Sequence, residues 1–168
     1  MSKENLSNDE GIEKLKTLID DIDICMFSSF PKNSPYPHTI PMSRQEVDVE
    51  GNIWFIYSSE SQFHKYIMEN PKVTLSFSDV KNYKFLNVNG LVEIINDQNL
   101  VDKYWNKFIE SWFNEGKEDP RIRIIKYIPK EAYYWDNGSN KLLTLLKITT
   151  QFISGNKLDP GNEGSIHL

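Results

Sequence analysis

Residues 72–79, KVTLSFSD, put Val73, Leu75 and Phe77 on one side and Lys72, Thr74 and Ser76 on the other. A period of two is the signature of a pleated strand with one buried face. The same alternation recurs in IDICMFSSF (22–30), where Ile22, Ile24 and Met26 alternate with Asp23, Cys25 and Phe27. HTIPMSRQEVDV (38–49) reads as extended, and IWFIY (53–57), FLNVNGLVEIIND (85–97), and RIRIIKYIP and EAYYWDN between 121 and 137 read as further strands. These connections are short, so the spacing predicts roughly six or seven antiparallel strands and favours a barrel over a parallel sheet. Pro41 marks an edge, a bulge or a broken ladder, and Gly90 a bulge or a close backbone approach.

Helical patterns sit at the margins. Ile12, Leu15, Leu18 and Ile19 share one face of a helix over 9–21. A short helix is predicted over about 60–69, stopped by Asn70 and Pro71. Val101, Tyr104, Trp105, Phe108 and Trp112 recur at spacings of three and four, which predicts one amphipathic helix with Asp97 as its cap. Residues 1–8 read as a flexible polar lead and 9–138 as the barrel domain. Residues 139–168 read as a terminal helix (139–152) and a tail.

Bulk properties limit the partners. The formal net charge of −5 and the lack of a basic stripe argue against nucleic acid, including an OB-like barrel for single strands. No apolar run is long enough for a bilayer, and the polar, acidic first ten residues show no apolar signal core. With one cysteine, Cys25, no internal disulfide can form; the chain is expected to be a cytoplasmic protein.

Most catalytic chemistries find no motif. His38, His64 and His167 lie far apart without ligand spacing, and no metal is expected. Cys25, in an alternating strand, reads as a passive thiol. No nucleophile elbow and no glycine-rich phosphate loop is present. One stretch stands out, GNIWFIYSSESQFHKYIMENPKVTLSF (51–77), where a strand enters a helix through Ser58, Ser59 and Ser61. Ser59 with Gln62 has capping-box spacing. A helix start also presents free N–H groups to an anion, and the two roles are compatible.

The ordered segments HTIPM, GNIWFIYSSESQ, NPKVTLSFSD, FLNVNGLVEIIND and WFNEGKEDPRIRIIKYIPKEAYYWD resemble the general stress protein 26 group. That group belongs to the pyridoxamine 5′-phosphate oxidase-like FMN-binding split barrels, and the resemblance spans about residues 8–165. It implies a mainly β fold with flanking helices, a six-stranded antiparallel split barrel. It implies a homodimer that binds FMN in a cleft between subunits, with the flavin carrying an oxidoreductase step and no catalytic side chain required.

By position, the resemblance assigns the cofactor cleft to Ile40, Pro41 and Met42, to Tyr57 and Ser58, and to Ser61, Gln62 and Phe63. Trp112 is assigned to approach from the partner chain, or else to complete the apolar stripe of its own helix. The family commonly carries Arg where this chain has Ile40 and Lys where it has Phe63. Lys65 stands about 200° around the helix from Phe63. Arg44 shares a strand face with Ile40 but lies roughly 13 Å further along. The alternative is therefore a cofactor-poor small-ligand or stress-response module on the same barrel. His38 and Tyr57 are the side chains near the expected cleft that merit testing.

Overall fold

The computed structural model describes residues 3–136 and 162–167. In order, its elements are β1 (Lys3–Ser7), α1 (Asn8–Ile19), β2 (Ile24–Ser29), β3 (His38–Val47), β4 (Ile53–Ser58), α2 (Gln62–Glu69), β5 (Lys72–Asp79), β6 (Lys84–Ile95), α3 (Gln98–Tyr104), α4 (Lys107–Glu110), a 3-10 turn at Gly116–Glu118, β7 (Ile122–Asp136) and β8 (Asn162–His167). Strands β2 to β7 form a closed six-stranded antiparallel barrel in the order β7-β4-β3-β2-β5-β6, with β6 pairing back onto β7. No described helix is long and apolar enough to cross a membrane.

Alternation fills the barrel. Phe27, Phe55, Phe77, Tyr127 and Tyr134 are fully buried inside it, and Leu15, Leu18 and Ile19 of α1 join the same core. Each such side chain contributes on the order of 1.5–3 kcal/mol by leaving water. A second core lies on the outer face of β4 and β7, where Ile56, Ile122 and Ile124 pack against Val101, Tyr104, Ile109 and Phe113. Cys25 is 1 % exposed, and burial pushes its thiol up to about 12, so it is inert at neutral pH.

Several expectations change. The polar lead contains strand β1, paired in parallel with β8, and β8 in turn pairs antiparallel with β7. Residues 162–167 are therefore strand rather than tail, while the helix expected over 139–152 lies outside the described residues. The two strands expected between 121 and 137 are one continuous β7 of 15 residues. The single amphipathic helix after Asp97 is two pieces, broken at Trp105 and Asn106. Asn106 supplies the reason: its side chain accepts from the N–H groups of Phe108 and Ile109, starting a new helix there. Asp97 caps α3 as expected, accepting from the Asn99 N–H at 2.8 Å.

Candidate functional site

Strands β3 and β4 pair only from Arg44 opposite Phe55 to Val47 opposite Ile53, with a bulge between Arg44 and Glu46. Beyond that point the two strands separate. Residues 40–43 of β3 stay paired to β2, and residues 56–58 of β4 stay paired to β7, so both walls of the gap are held rigidly. The Arg44 N–H donates to the Asp23 carbonyl on the β2 side at 2.9 Å. Backbone groups alternate sides along a strand, so the nitrogen of Pro41 and the N–H of Ser43 face the gap. A proline there costs no ladder bond. Its neighbour Ser43 leaves one donor turned toward the opening.

The gap is a cleft of about 330 Å³. Ile40, Pro41, Met42, Tyr57, Ser58, Ser61, Phe63 and Trp112 all line it, so the structure brings these expected residues together. Gln62 is not among the lining residues; its amide donates to the Tyr66 hydroxyl at 3.0 Å on the outer side of α2. Ile24, Ser43, Ile56, Phe108, Ile109 and Phe113 also line the cleft and were not singled out. The α4 residues among them, Phe108 and Ile109, follow the break that Asn106 caps. The side-chain capping pattern of Asn106 was the available signal for that break.

Trp112 does not complete a helical stripe. It follows α4, is 69 % exposed, and forms the lip of the cleft in its own chain, with Phe108 edge-on at 6.2 Å. Phe63 sits at the inner end, 3 % exposed, with its ring 4.9 Å from Tyr57 and 5.5 Å from Phe27. That side chain belongs to the barrel core as much as to the cleft wall.

The helix start differs from the capping-box expectation. Ser61, not Ser59, is the N-cap of α2, and its hydroxyl makes no capping bond. Ser58 Oγ accepts from the Glu60 N–H at 3.3 Å, and the Ser59 N–H donates to the Arg121 carbonyl at 2.8 Å.

Tyr57 adds a polar element that the sequence reading left unconnected. Its hydroxyl is 2.8 Å from His64 Nδ1 in α2. Burial raises the Tyr57 pKa above its ordinary value, while the charge of Arg123, opposite on β7, acts the other way. The phenol therefore stays protonated at neutral pH. His38 lies outside the cleft lining, with its ring 5.2 Å from that of Tyr66 and its Nδ1 unpartnered among the described residues. Among the described residues no group of His, Cys, Asp or Glu side chains could hold a metal ion.

The nearby arginines are engaged elsewhere. Arg44 donates from Nε to the carbonyls of Ile19 (3.1 Å) and Ile22 (2.9 Å), and from Nη2 to Asp20 O at 2.6 Å, closing the end of α1. Arg121 donates to both Asp119 oxygens and to Glu60. Arg123 folds back onto the carbonyls of Pro120 and Ile122.

Comparison with known proteins agrees with this architecture. The family model "Pyridoxamine 5′-phosphate oxidase like" matches residues 10–159. General stress protein 26 of Bacillus subtilis is 29 % identical over 91 residues, 52 % of this chain and 64 % of that protein. Protein bli-3 of Neurospora crassa is 23 % identical over 112 residues, 62 % of this chain and 54 % of its own. The chain thus spans between half and two thirds of these curated relatives.

Among solved structures, a candidate general stress protein 26 from Jannaschia sp. CCS1 superposes with a TM-score of 0.75 at 22 % identity, covering 93 % of this chain and 97 % of that one. The general stress FMN/FAD binding protein of Xanthomonas citri superposes with a TM-score of 0.65 at 24 % identity, over 78 % and 92 %. With a split six-stranded barrel and a family match over most of its length, this chain belongs to the pyridoxamine 5′-phosphate oxidase-like family.

Proposed function

We propose that the cleft between β3 and β4 binds the flat ring of a flavin, and that this chain is a flavin-dependent oxidoreductase of the general stress protein type. The observation that carries the reading is the cleft itself. It is a narrow apolar slot with rigid strands on both walls, Trp112 at its lip and Ser43, Ser58 and Ser61 as its hydroxyls. Its volume falls at the lower end of the range of small-molecule sites, about 300–1,000 Å³. A bound flavin would supply the electron-transfer chemistry, and the chain would supply orientation and a dry surface.

The chain's own residues have defined tasks. Ile40, Met42 and Ile56 exclude water from the ring faces, and the Ser43 N–H offers a donor to a ring heteroatom. Tyr57 stays neutral and holds its proton between the cleft and His64. The relative from Xanthomonas citri, described as binding FMN or FAD, supports the flavin assignment by fold.

The reading includes a second copy of the chain. Ile24 (57 % exposed) lines the cleft with exposed Phe108 and Trp112, and Met26 (44 %), opposite Pro41, continues the exposed row along β2. A homodimer would cover this apolar margin. Sedimentation at micromolar concentration is expected to give a dimer, and a monomer throughout removes this part.

An absorbance spectrum of fresh protein and titration with flavin, followed by fluorescence quenching, test the core of the proposal. Stacking on an aromatic contributes on the order of 0.5–1.5 kcal/mol. Trp112→Ala is therefore expected to weaken flavin binding up to about tenfold while leaving Tm unchanged. The second reading, a module that takes another small ligand, is favoured by the absence of any Lys or Arg from the described cleft lining. Colourless protein that quenches no added flavin would select it.

A further inference from the structure

We infer that the cleft recognises flavin by its uncharged ring and side-chain hydroxyls, without a contribution from a phosphate, so that riboflavin binds at least as tightly as FMN. The inference rests on the flavin reading above and narrows it to one class of ligand.

A phosphate dianion is held by paired cations or by several converging donors. Among the described residues, no Lys, Arg or His lines this cleft. The arginines of the adjoining elements are not free to turn toward it. Arg44 is bonded to three carbonyls at the end of α1, Arg121 is forked onto Asp119, and Arg123 is bonded to the carbonyls of Pro120 and Ile122 just before it in the chain. Redirecting Arg44 or Arg121 would leave the carbonyls of Ile19 and Ile22 or the buried Asp119 carboxylate without a donor.

The helix start supplies no cation. Position 63, in the first turn of α2, is a phenylalanine packed into the barrel core. Glu60, immediately before the cap, carries a carboxylate 3.2 Å from the Arg121 guanidinium, so Arg121 is already balanced on that side as well. The chain as a whole carries −5, which repels rather than attracts a dianion.

What the cleft does offer suits a neutral polyol. Ser61 Oγ makes no capping bond, and the hydroxyls of Ser43 and Ser58 stand along the same gap. Hydroxyls exchange hydrogen bonds with other hydroxyls without the desolvation cost of a charge. A small apolar slot also suits the ring alone and leaves a charged tail in solvent.

Riboflavin and FMN differ only by the phosphate, so their comparison isolates it. Each is titrated into the full-length protein at low and at raised salt, with flavin fluorescence as the readout. The expected result is a riboflavin Kd equal to or below that of FMN, and an FMN Kd that salt leaves unchanged or lowers. FMN binding tenfold or more tighter than riboflavin overturns the inference and keeps the flavin reading. Failure of both flavins to bind overturns both. As a second arm, Ile40→Arg places a guanidinium at the cleft wall and is expected to tilt the FMN-to-riboflavin affinity ratio toward FMN by tenfold or more. An unchanged ratio counts against the inference, because a cation would then be without effect where a phosphate was said to lack one.

Discussion

Arg44 directs its guanidinium to backbone, not to a ligand. Three carbonyls at the end of α1 depend on it, at 2.6 to 3.1 Å. Its ion pair with Asp23 is a minor part, since that carboxylate is 85 % exposed. Arg44→Met removes the donors and leaves the helix end unsatisfied. Hydrogen bonds to a charged group contribute about 1.5–3 kcal/mol, so a loss of about 2–4 kcal/mol is expected in urea unfolding. At the same scale, the Arg121 guanidinium donates to Asp119 at 2.9 and 2.5 Å and holds its carboxyl down to about 2. An unfolded aspartate titrates near 3.9. The folded pKa is the lower one, so the pair's contribution is complete above about pH 4 and drains away as pH falls toward 2. Urea midpoints measured across that window should fall more steeply for wild type than for Asp119→Asn; parallel curves would contradict the linkage.

Elements were legible where their own residues define them. The strict alternation of β5 and the Asp97 cap could be read directly, because a strand face and a cap are local. The bulge at Gly90 was also readable, and its reason is now specific. A Cβ there would lie 2.4 Å from the Ile128 carbonyl oxygen and 2.7 Å from the Tyr127 ring. The Tyr127 hydroxyl meanwhile donates to the carbonyls of Val88 (2.7 Å) and Val73 (3.2 Å), tying β7 across the barrel. Gly90→Ala must displace one of these, and an overpacking cost of about 1–3 kcal/mol is expected. Thermal unfolding of the variant checks it; an unchanged Tm would mean the backbone yields freely. The break between α3 and α4 was missed because the apolar spacing runs through it unbroken. Period alone cannot register that Asn106 restarts the helix and turns Phe108 and Trp112 outward.

On the scale of the whole molecule, the two ends of the described chain meet on one flank. β8 joins the far half of β7 and carries β1 on its other edge. Ile166 is 0 % exposed and belongs to the main core, although a lead and a tail were expected in these segments. Ile166→Ala is therefore expected to cost about 2–4 kcal/mol in chemical denaturation. A cost below 0.5 kcal/mol, on the order of a surface substitution, would show that the barrel does not depend on this flank.

By itself the sequence determined the β-rich class and the strands β2 to β6, because alternation, caps and turn residues act over a few positions; the residues at the barrel's split came from the family resemblance. The tertiary structure alone decided that β3 and β4 part at Arg44, that Tyr57 meets His64, and that the arginines around the cleft are committed elsewhere. Those facts depend on register and on partners far along the chain, and short-range spacing carries no information about either.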